Sequence, residues 1–396
     1  MNICLVSAYF YPRSKGGTEK YVLELARKLI SEDNNVEIIT VHPAKTINYW
    51  YENIFVRAIL ESGYHGKAVV SGQIASNTLN KFSQIILEQK YDIIHFHTLT
   101  PAFGIHHLKK AKKLGFMVHF TAHIPAISCL HGDLMLYGNK ACDGKINERC
   151  MSCYISKKRI PKGLSILIGK VIQTLNYPKS IAQVVNKKSK ELMDLSIFCD
   201  KIFIFTNWQW QIYIENGIPP AKLIVLQQMP IKAPGSGNAK EYTKEATNNI
   251  TIGFAGRICY EKGLHNLINC FKKLPKQGLQ LIIAGILDET SSSYFNELKN
   301  STKSEKNIIW SFNLDDSQLQ NFYHEIDYLC IPSIWYETGP YVLYEAFNND
   351  TPVIANNLGD MQVWKDKGYP IKLYNNQYEL LQLLEDLLLI KNNNKW

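Results

Sequence analysis

Short apolar runs alternate with helical periodicities along the first half of the chain. The run from Ile3 to Val6 predicts a buried strand, and residues 18–30 after it predict an amphipathic helix, since apolar side chains recur there at helical spacing, namely Val22, Leu25, Ala26 and Leu29. Further strand-like runs occupy residues 36–41, 92–97, 117–123 and 201–207. This alternation predicts a parallel sheet with helices on both faces.

The second half repeats the pattern. A strand is predicted at 249–258, a helix follows with apolar positions at 264, 267, 268 and 271, and later strands are predicted at 279–285, 307–310, 327–333 and 351–356. The intervening segment, 229–249, is rich in Pro, Gly, Ser, Lys and Asn, as linkers are. We therefore predict two doubly wound α/β domains, at 1–229 and 250–375, a linker at 230–249, and a C-terminal helix at 376–396 that packs back on the first domain. Two such sheets would bind ligand in a cleft at their carboxyl ends.

Composition narrows the class of protein. The 396 residues exceed one ordinary core, and 46% hydrophobic with 20% charged residues is typical of a globular chain. No run of 18 apolar residues predicts a membrane span, and the first residues do not resemble a secretory signal, so we expect a cytoplasmic protein with reduced thiols. The formal charge of +9 suits polyanionic ligands, but no nucleic-acid-binding module stands out.

The stretch WYETGPYVLYEAF, at 335–347, places Glu337 and Glu345 on either side of a predicted helix start. With Gly339 as cap and Pro340 at the first helical position, the N–H groups of Tyr341 and Val342 would face a phosphate. The carboxylate of Glu345, one turn later, could accept hydrogen bonds from a ribose diol, and Glu337 could face a sugar. A capped helix with two solvated glutamates is the alternative interpretation.

The stretch GRICYEKG, at 256–263, follows a predicted strand and precedes a helix. Gly256 permits close approach of a ligand to the backbone, while Arg257 and Lys262 offer a fork of donors and a point charge to a diphosphate. Solvated basic side chains in a loop are the alternative.

Together the two stretches resemble the retaining glycosyltransferases of family 4, which have the GT-B fold. That resemblance implies that Arg257 and Lys262 neutralise the departing nucleotide diphosphate without a catalytic metal, that Glu337 contacts the donor sugar, and that Glu345 binds the ribose. It also implies that Gly16 and Gly17 approach the donor and acceptor, and that His123 faces the donor sugar. His97 is a further candidate for the same cleft. The chain departs from the family pattern at Phe312, Asp360 and Val363, which leaves the base and the sugar open.

Four cysteines lie close together in the first domain, in an insertion at 129–153. Cys129, Cys142, Cys150 and Cys153 end in a C-x2-C pair, which predicts a structural zinc site of four thiolates. Free thiols and an iron–sulfur cluster are the alternatives.

A basic and apolar segment follows the cysteines. Basic residues at 157, 158, 159 and 162 adjoin an apolar stretch at 164–172. Such a segment could lie on an anionic inner-leaflet surface, in which case the acceptor would be a lipid-linked saccharide of polysaccharide biosynthesis. A buried core helix flanked by lysines is the alternative.

The sequence thus predicts a transferase that moves a sugar from a nucleotide-sugar donor to a hydroxyl acceptor. A non-catalytic subunit that binds the nucleotide sugar within a glycosyltransferase assembly is the competing hypothesis. A dinucleotide oxidoreductase would need G-x-G-x-x-G after the first strand, which is not found there.

Overall fold

The structure is a computed structural model that describes residues 1–14, 16–61, 75–124, 128–157, 160–228, 231–234, 249–287 and 292–393, with the backbone alone at 180, 292 and 390–393. The chain divides into two compact units, Met1–Gln228 and Met229–Trp396. Most of the predicted linker, 230–249, lies outside the described ranges. No helix in the described ranges is long and apolar enough to cross a bilayer.

The first unit is built on an eight-stranded sheet. Its strands are β1 (Asn2–Val6), β2 (Asn35–His42), β3 (Ile47–Tyr51), β4 (Ile54–Leu60), β5 (Ile93–His97), β6 (Met117–Thr121), β9 (Lys201–Ile204) and β10 (Leu223–Val225). Their spatial order is β10-β9-β6-β5-β1-β2-β4-β3, and every neighbouring pair is parallel except β3 with β4. A separate two-stranded ribbon contains β7 (Met135–Leu136) and β8 (Lys140–Ala141).

Helices connect these strands and cover the sheet. They are α1 (Gly17–Ser31), α2 (Thr78–Gln89), α3 (Ile105–Lys113), α4 (Arg149–Ser156), α5 (Lys162–Leu175), α6 (Lys179–Ala182), α7 (Val184–Phe198) and α8 (Asn207–Glu215).

The uniformly apolar character of β1 follows from burial on both of its faces. Successive side chains of a strand point to opposite sides of the sheet. Accordingly, Cys4 and Val6 pack into one hydrophobic cluster, whereas Ile3 and Leu5 pack into another that includes α1. The predicted parallel sheet with helices on both faces is confirmed.

The second unit contains a six-stranded sheet in which all neighbouring strands are parallel. The strands are β11 (Ile250–Arg257), β12 (Leu279–Ile286), β13 (Ile308–Phe312), β14 (Tyr328–Ile331), β15 (Val353–Asn356) and β16 (Ile371–Tyr374), in the order β13-β12-β11-β14-β15-β16. Its helices are α9 (Leu264–Phe271), α10 (Ser292–Ser301), α11 (Asp316–Glu325), α12 (Tyr341–Asn348), α13 (Met361–Asp366) and α14 (Gln377–Asn393).

Both sheets have a topological switch point. In the second unit the chain runs outward from β11 to β13 and then returns to place β14 on the other side of β11. In the first unit the chain runs outward from β1 through β2 to β3 and β4 and then returns to place β5 on the other side of β1. Ligands of open parallel sheets bind beyond the carboxyl ends of the strands at such points.

The C-terminal helix α14 buries its apolar face within the second unit. Leu380, Leu384 and Leu387 lie in the same hydrophobic cluster as Leu264 and Phe271 of α9. Packing in the second unit therefore accounts for these leucines, and the predicted packing of the helix on the first domain stays a prediction.

Candidate functional site

The stretches at 256–263 and 335–347 meet at the switch point of the second unit. Gly263 follows the β11 loop with φ of +67°, and a Cβ atom placed there would lie 1.9 Å from the carbonyl oxygen of Pro332, beyond β14. The N–H of Ile334 donates to the carbonyl of Glu261 over 2.9 Å. Any side chain at position 263 would clash with the Pro332 carbonyl, so glycine is required there. The close approach of the two backbones holds the loop that carries Lys262 against the loop that carries Glu337.

Lys262 and Glu337 form an ion pair across these two loops. The Lys262 Nζ atom lies 2.8 Å from Oε1 and 3.0 Å from Oε2 of Glu337. The two side chains are 18% and 9% exposed. Two further groups donate to Glu337 Oε1, the hydroxyl of Ser333 and, over 3.1 Å, the indole N–H of Trp335. The carboxylate is thus held in one orientation by three donors.

These contacts decide the charge of Glu337. Burial by itself raises the pKa of the Glu337 carboxyl, but the Lys262 charge and the hydrogen bonds from Lys262, Ser333 and Trp335 outweigh that effect and hold the pKa below its usual range. Glu337 is therefore ionised at neutral pH. An ionised carboxylate beside a lysine can accept hydrogen bonds from sugar hydroxyls or stabilise adjacent positive charge.

Helix α12 begins in the same loop. Its N-cap is Pro340, with φ of −66° and ψ of 127°, and Gly339 before it has φ of +90°. The helix therefore begins one residue later than the sequence suggested, with Tyr341 and Val342 in its first turn. An α-helix supplies no internal acceptors for N–H groups at these positions, and its dipole favours an anion there.

Glu345 lies one turn into α12. Its Oε2 atom accepts a hydrogen bond of 2.9 Å from the hydroxyl of Tyr323, which is fully buried at the end of α11. Burial, followed by the charge and hydrogen bond of Glu345, raises the pKa of Tyr323 well above its ordinary value, so the phenol remains a donor. This contact fixes one oxygen of a carboxylate that the sequence assigned to a ribose.

Gly256 and Arg257 end strand β11, at the carboxyl edge of the sheet. Gly256 has φ of +140°, and a Cβ placed there would meet no other atom within 4 Å. Its conformation, rather than crowding, requires glycine. Arg257 is exposed beyond it. The structure thus places Arg257, Lys262, Glu337 and the start of α12 at one switch point, at the carboxyl ends of β11 and β14.

A histidine pair marks the corresponding edge of the first unit. His97 is the last residue of β5, His123 follows β6 by two residues, and His97 Nδ1 lies 3.0 Å from His123 Nε2. The ring of His95 stacks on His97 with centroids 4.3 Å apart, and the ring of Tyr21 from α1 packs against His123 at 4.9 Å.

Both members of this pair are neutral at physiological pH. Burial lowers the pKa of His123 to about 3. Burial also lowers the pKa of His97 well below its ordinary value, with smaller contributions from His95 and His123. In the hydrogen bond between them one neutral imidazole must therefore donate and the other accept. Each ring can act on a ligand through a hydrogen bond rather than through a charge.

Gly16 and Gly17 lie at the start of α1, after β1. Gly16 is the N-cap of that helix, and a Cβ placed on it would lie 2.6 Å from Oε2 of Glu19. The carboxylate of Glu19 is buried and accepts a hydrogen bond of 2.6 Å from the hydroxyl of Ser14. Sequence reasoning passed over Glu19, although an acidic residue in a first helical turn after a glycine pair is a usable signal.

The four cysteines of the insertion lie near one another. Cys129, Cys142, Cys150 and Cys153 are free thiols that line one cavity of about 20 Å³. The N–H groups of Tyr137 and Asn147 donate to Cys153 and Cys150 over 3.2 Å and 3.5 Å. Within the described ranges, however, no group of three or more Cys, His, Asp or Glu side chains is arranged to hold a metal ion. The predicted zinc site is therefore not supported.

The three residues that depart from the family pattern, Phe312, Asp360 and Val363, lie in the second unit. Phe312 packs against Trp310 and Phe295, with ring centroids 5.9 Å and 5.5 Å away. Asp360 is the N-cap of α13, and Val363 lies in that helix.

The side chains that contact the predicted site residues were not predicted from the sequence. Ser333, Trp335 and Tyr323 orient the two glutamates, and Tyr21 packs on His123. Trp335 begins the quoted stretch at 335–347 and Ser333 lies two residues before it, so both could have been proposed. Tyr323 and Tyr21 carry no sequence signal, because they reach the site through tertiary packing.

Two family models match this chain. The family model "Glycosyltransferase Family 4" matches residues 15–144, and the model "Glycosyl transferases group 1" matches residues 237–391. An uncharacterised glycosyltransferase of Methanocaldococcus jannaschii is 24% identical over 371 residues, covering 91% of this chain and 82% of the relative.

Solved structures agree on the fold. Sucrose-phosphate synthase from Thermosynechococcus elongatus superposes with a TM-score of 0.64 at 15% identity, covering 99% of this chain and 90% of the other. HepE from Anabaena, solved in complex with UDP and glucose, gives a TM-score of 0.61 at 14% identity, covering 97% and 88%. With two Rossmann-like units and matches to both family models, the chain belongs to the family 4-type glycosyltransferases of GT-B fold.

Proposed function

We propose that this glycosyltransferase moves a sugar from a nucleotide-diphosphate donor to the hydroxyl of a saccharide or lipid-linked saccharide, with retention of anomeric configuration. The observation that carries the proposal is the contact between Lys262 and Glu337 at the switch point of the second unit, beside the first turn of α12. The cation and the helix start there suit the diphosphate of a nucleotide sugar, and the carboxylate suits its sugar.

The diphosphate is proposed to bind among Arg257, Lys262 and the N-terminus of α12. Two cations and the positive end of a helix dipole oppose the charge that develops as a nucleotide diphosphate departs. Arg257 offers a planar fork of donors, and Lys262 offers a compact charge. By this assignment the transfer step needs no metal ion, because fixed protein charges stabilise the leaving group.

Glu345 is proposed to bind the ribose. Tyr323 engages Oε2 of this carboxylate, and a carboxylate oxygen can accept more than one hydrogen bond, so capacity remains for a diol. Glu337 is proposed to orient the donor sugar, since its ionised carboxylate is already held in one orientation.

The first unit is proposed, by family resemblance, to contribute His123 and the Gly16–Gly17 turn. The neutral imidazole of His123 would donate a hydrogen bond to a sugar hydroxyl, with His97 fixing which ring nitrogen carries the proton. Gly16 and Gly17 would let the backbone approach the ligand.

The chemical step balances without a redox partner. The bond between the anomeric carbon and the phosphate oxygen breaks, and its electron pair leaves with the nucleotide diphosphate. The acceptor oxygen forms the new bond from the same face, and its proton passes to the departing phosphate oxygen. Arg257 and Lys262 stabilise that oxygen throughout.

A cytoplasmic location is also proposed. All nine cysteines are free, and free thiols suit a reducing compartment.

The first experiment is a thermal-shift screen of the purified chain with UDP, GDP, ADP and dTDP, with and without an attached sugar. A ligand at 100 times its dissociation constant stabilises the folded state by about 2.7 kcal/mol. We expect one base to give the largest shift and Glu345→Ala to abolish it. No shift with any nucleotide would contradict the donor site.

Turnover distinguishes an enzyme from a non-catalytic binding subunit. With the nucleotide sugar so identified, release of the nucleotide diphosphate in the presence of acceptor saccharides supports an enzyme, and NMR of the product reports the anomeric configuration. Unchanged activity in EDTA supports transfer without a metal. Tight nucleotide binding without turnover on any acceptor would favour the binding subunit.

A further inference from the structure

Helix α5 (Lys162–Leu175) exposes the face that a helix of this composition would ordinarily bury. Its large apolar side chains Leu164, Leu167, Val171 and Leu175 are between 46% and 68% exposed. They recur at intervals of three and four residues, so they form one stripe along the helix. We call this stripe the α5 apolar stripe. The interpretation of the stretch at 164–172 as part of a buried core helix is wrong for Leu164, Leu167 and Val171.

The opposite face of α5 is small and polar. Ser165 and Gly169 are buried, and a Cβ placed on Gly169 would lie 3.2 Å from the backbone of Ser152 in α4. Helix α5 is thus held by close contact of small residues, and its leucines do not serve that contact. A contiguous apolar surface without such a structural role indicates an interaction site.

The net positive charge of the chain is concentrated in the segment that contains this stripe. Residues 157–190 contain nine basic and no acidic side chains, which equals the formal charge of +9 of the entire chain. The remaining 35 basic and 35 acidic residues cancel. Lys158 and Arg159 belong to this segment but lie outside the described residues.

The described lysines of this segment differ in their surroundings. Lys157 pairs with Asp133 and Lys188 with Glu191. Lys162, Lys170 and Lys179 are exposed on α5 and at the start of α6. Exposed lysines therefore occur on the helix that carries the apolar stripe and at the start of the next helix.

We propose that the α5 apolar stripe and its lysines dock on an anionic lipid bilayer. Leucines on one face of a helix partition into the boundary between headgroups and acyl chains, and each lysine near an anionic surface adds attraction. A second copy of this chain is a poorer occupant, because a two-fold contact would bring two segments of +9 together. The inference goes beyond the proposed function and does not rest on it.

Vesicle sedimentation tests the proposal directly. The full chain is mixed with vesicles of phosphatidylcholine containing phosphatidylglycerol, and separately with vesicles of phosphatidylcholine alone. We expect binding to the anionic vesicles that weakens at high salt, and little binding to the neutral ones. Failure to bind the anionic vesicles at low salt would overturn the proposal.

Matched variants assign binding to the stripe. The double variant Leu167→Gln and Val171→Gln should weaken partitioning by about tenfold or more, because two apolar side chains leave the bilayer boundary. Leu87→Gln, on α2 of the same unit, changes a leucine that is 52% exposed and should leave partitioning unchanged. Unchanged melting temperatures establish that each variant is folded. Equal weakening by all variants would overturn the assignment.

Two further measurements identify the occupant. Replacing Lys162, Lys170 and Lys179 by Gln should reduce binding to anionic vesicles and its dependence on salt. Light scattering of the protein without vesicles should give one molecular mass for the native chain and the double variant. A dimer that dissociates in the double variant would instead assign the stripe to a second copy of the chain and overturn the membrane proposal.

Discussion

Lys262 and Glu337 are 75 residues apart in the chain, yet their side chains meet as a shielded ion pair. The lysine assigned to the donor diphosphate is therefore held by the carboxylate assigned to the donor sugar. A bound diphosphate and Glu337 would share the charge of Lys262. The pair keeps Glu337 ionised and holds both side chains in position before the donor arrives, which lowers the reorganisation that binding requires.

This relationship predicts opposite effects on nucleotide binding. Glu337→Gln should retain or tighten nucleotide diphosphate binding, because Lys262 loses its competing partner, while sugar transfer falls by about 100-fold or more. Lys262→Gln should weaken nucleotide binding by about 10- to 100-fold, because the diphosphate loses a hydrogen bond from a charged donor. Calorimetric titration and turnover assays measure both. Equal weakening of nucleotide binding by the two variants would show that the pair is only structural.

Glu345 predicts a graded series. Glu345→Gln should weaken nucleotide binding by about tenfold, because a ribose diol loses a charged acceptor. Tyr323→Phe should cost less, since it removes only the donor to Oε2. Glu325→Gln, exposed at the end of α11, is the matched control and should bind normally. Titration with the nucleotide chosen by the thermal-shift screen measures the series. A larger loss from Tyr323→Phe than from Glu345→Gln would contradict direct contact of Glu345 with ribose.

We expect glycine to be required at position 263 for two reasons, its positive φ and the nearby Pro332 carbonyl. Gly368→Ala also introduces a side chain at positive φ, +86°, but its Cβ would meet only Pro234 at 3.7 Å. That variant should lose about 1–2 kcal/mol of unfolding free energy. Gly263→Ala must in addition displace the Pro332 carbonyl, so we expect a larger loss and weaker nucleotide binding. Chemical denaturation compares the two, and equal losses would contradict the steric requirement.

The buried histidines predict acid sensitivity of the first unit. Burial lowers the pKa of His123 and His107 to about 3 and of His119 to about 4, below the ordinary value of about 6.5. Each takes up a proton more readily once unfolded, so its contribution is full above about pH 6.5 and is lost as pH falls toward the folded pKa.

Urea unfolding between pH 7.5 and 5 measures this loss, in a window above the titration of ordinary carboxylates. His107→Gln lies outside the proposed site and should flatten the pH dependence by up to about one proton. Stability that does not change over this window would contradict neutral burial of the histidines.

The sequence by itself determined the fold class and the residue types of the candidate site. The apolar runs of β1 and β11 and the spacing on α1 and α9 are local patterns, and burial on both faces of a parallel sheet leaves such patterns in the chain. Arg257, Lys262, Glu337 and Glu345 were found because they lie in short stretches beside predicted strand ends. The resemblance to family 4 was carried by those same residues.

Only the tertiary structure decided which of these groups touch. The contact of Gly263 with Pro332 sets the meeting of Lys262 and Glu337, and the adjacency of β5 and β6 sets the pairing of His97 with His123. The sequence showed an apolar stretch at 164–172 but could not say which of its side chains are buried, because the small residues Ser165 and Gly169 make the contact with α4. The four cysteines were predicted as a cluster, and their distances, set by the packing of the insertion, decide whether it can hold a metal.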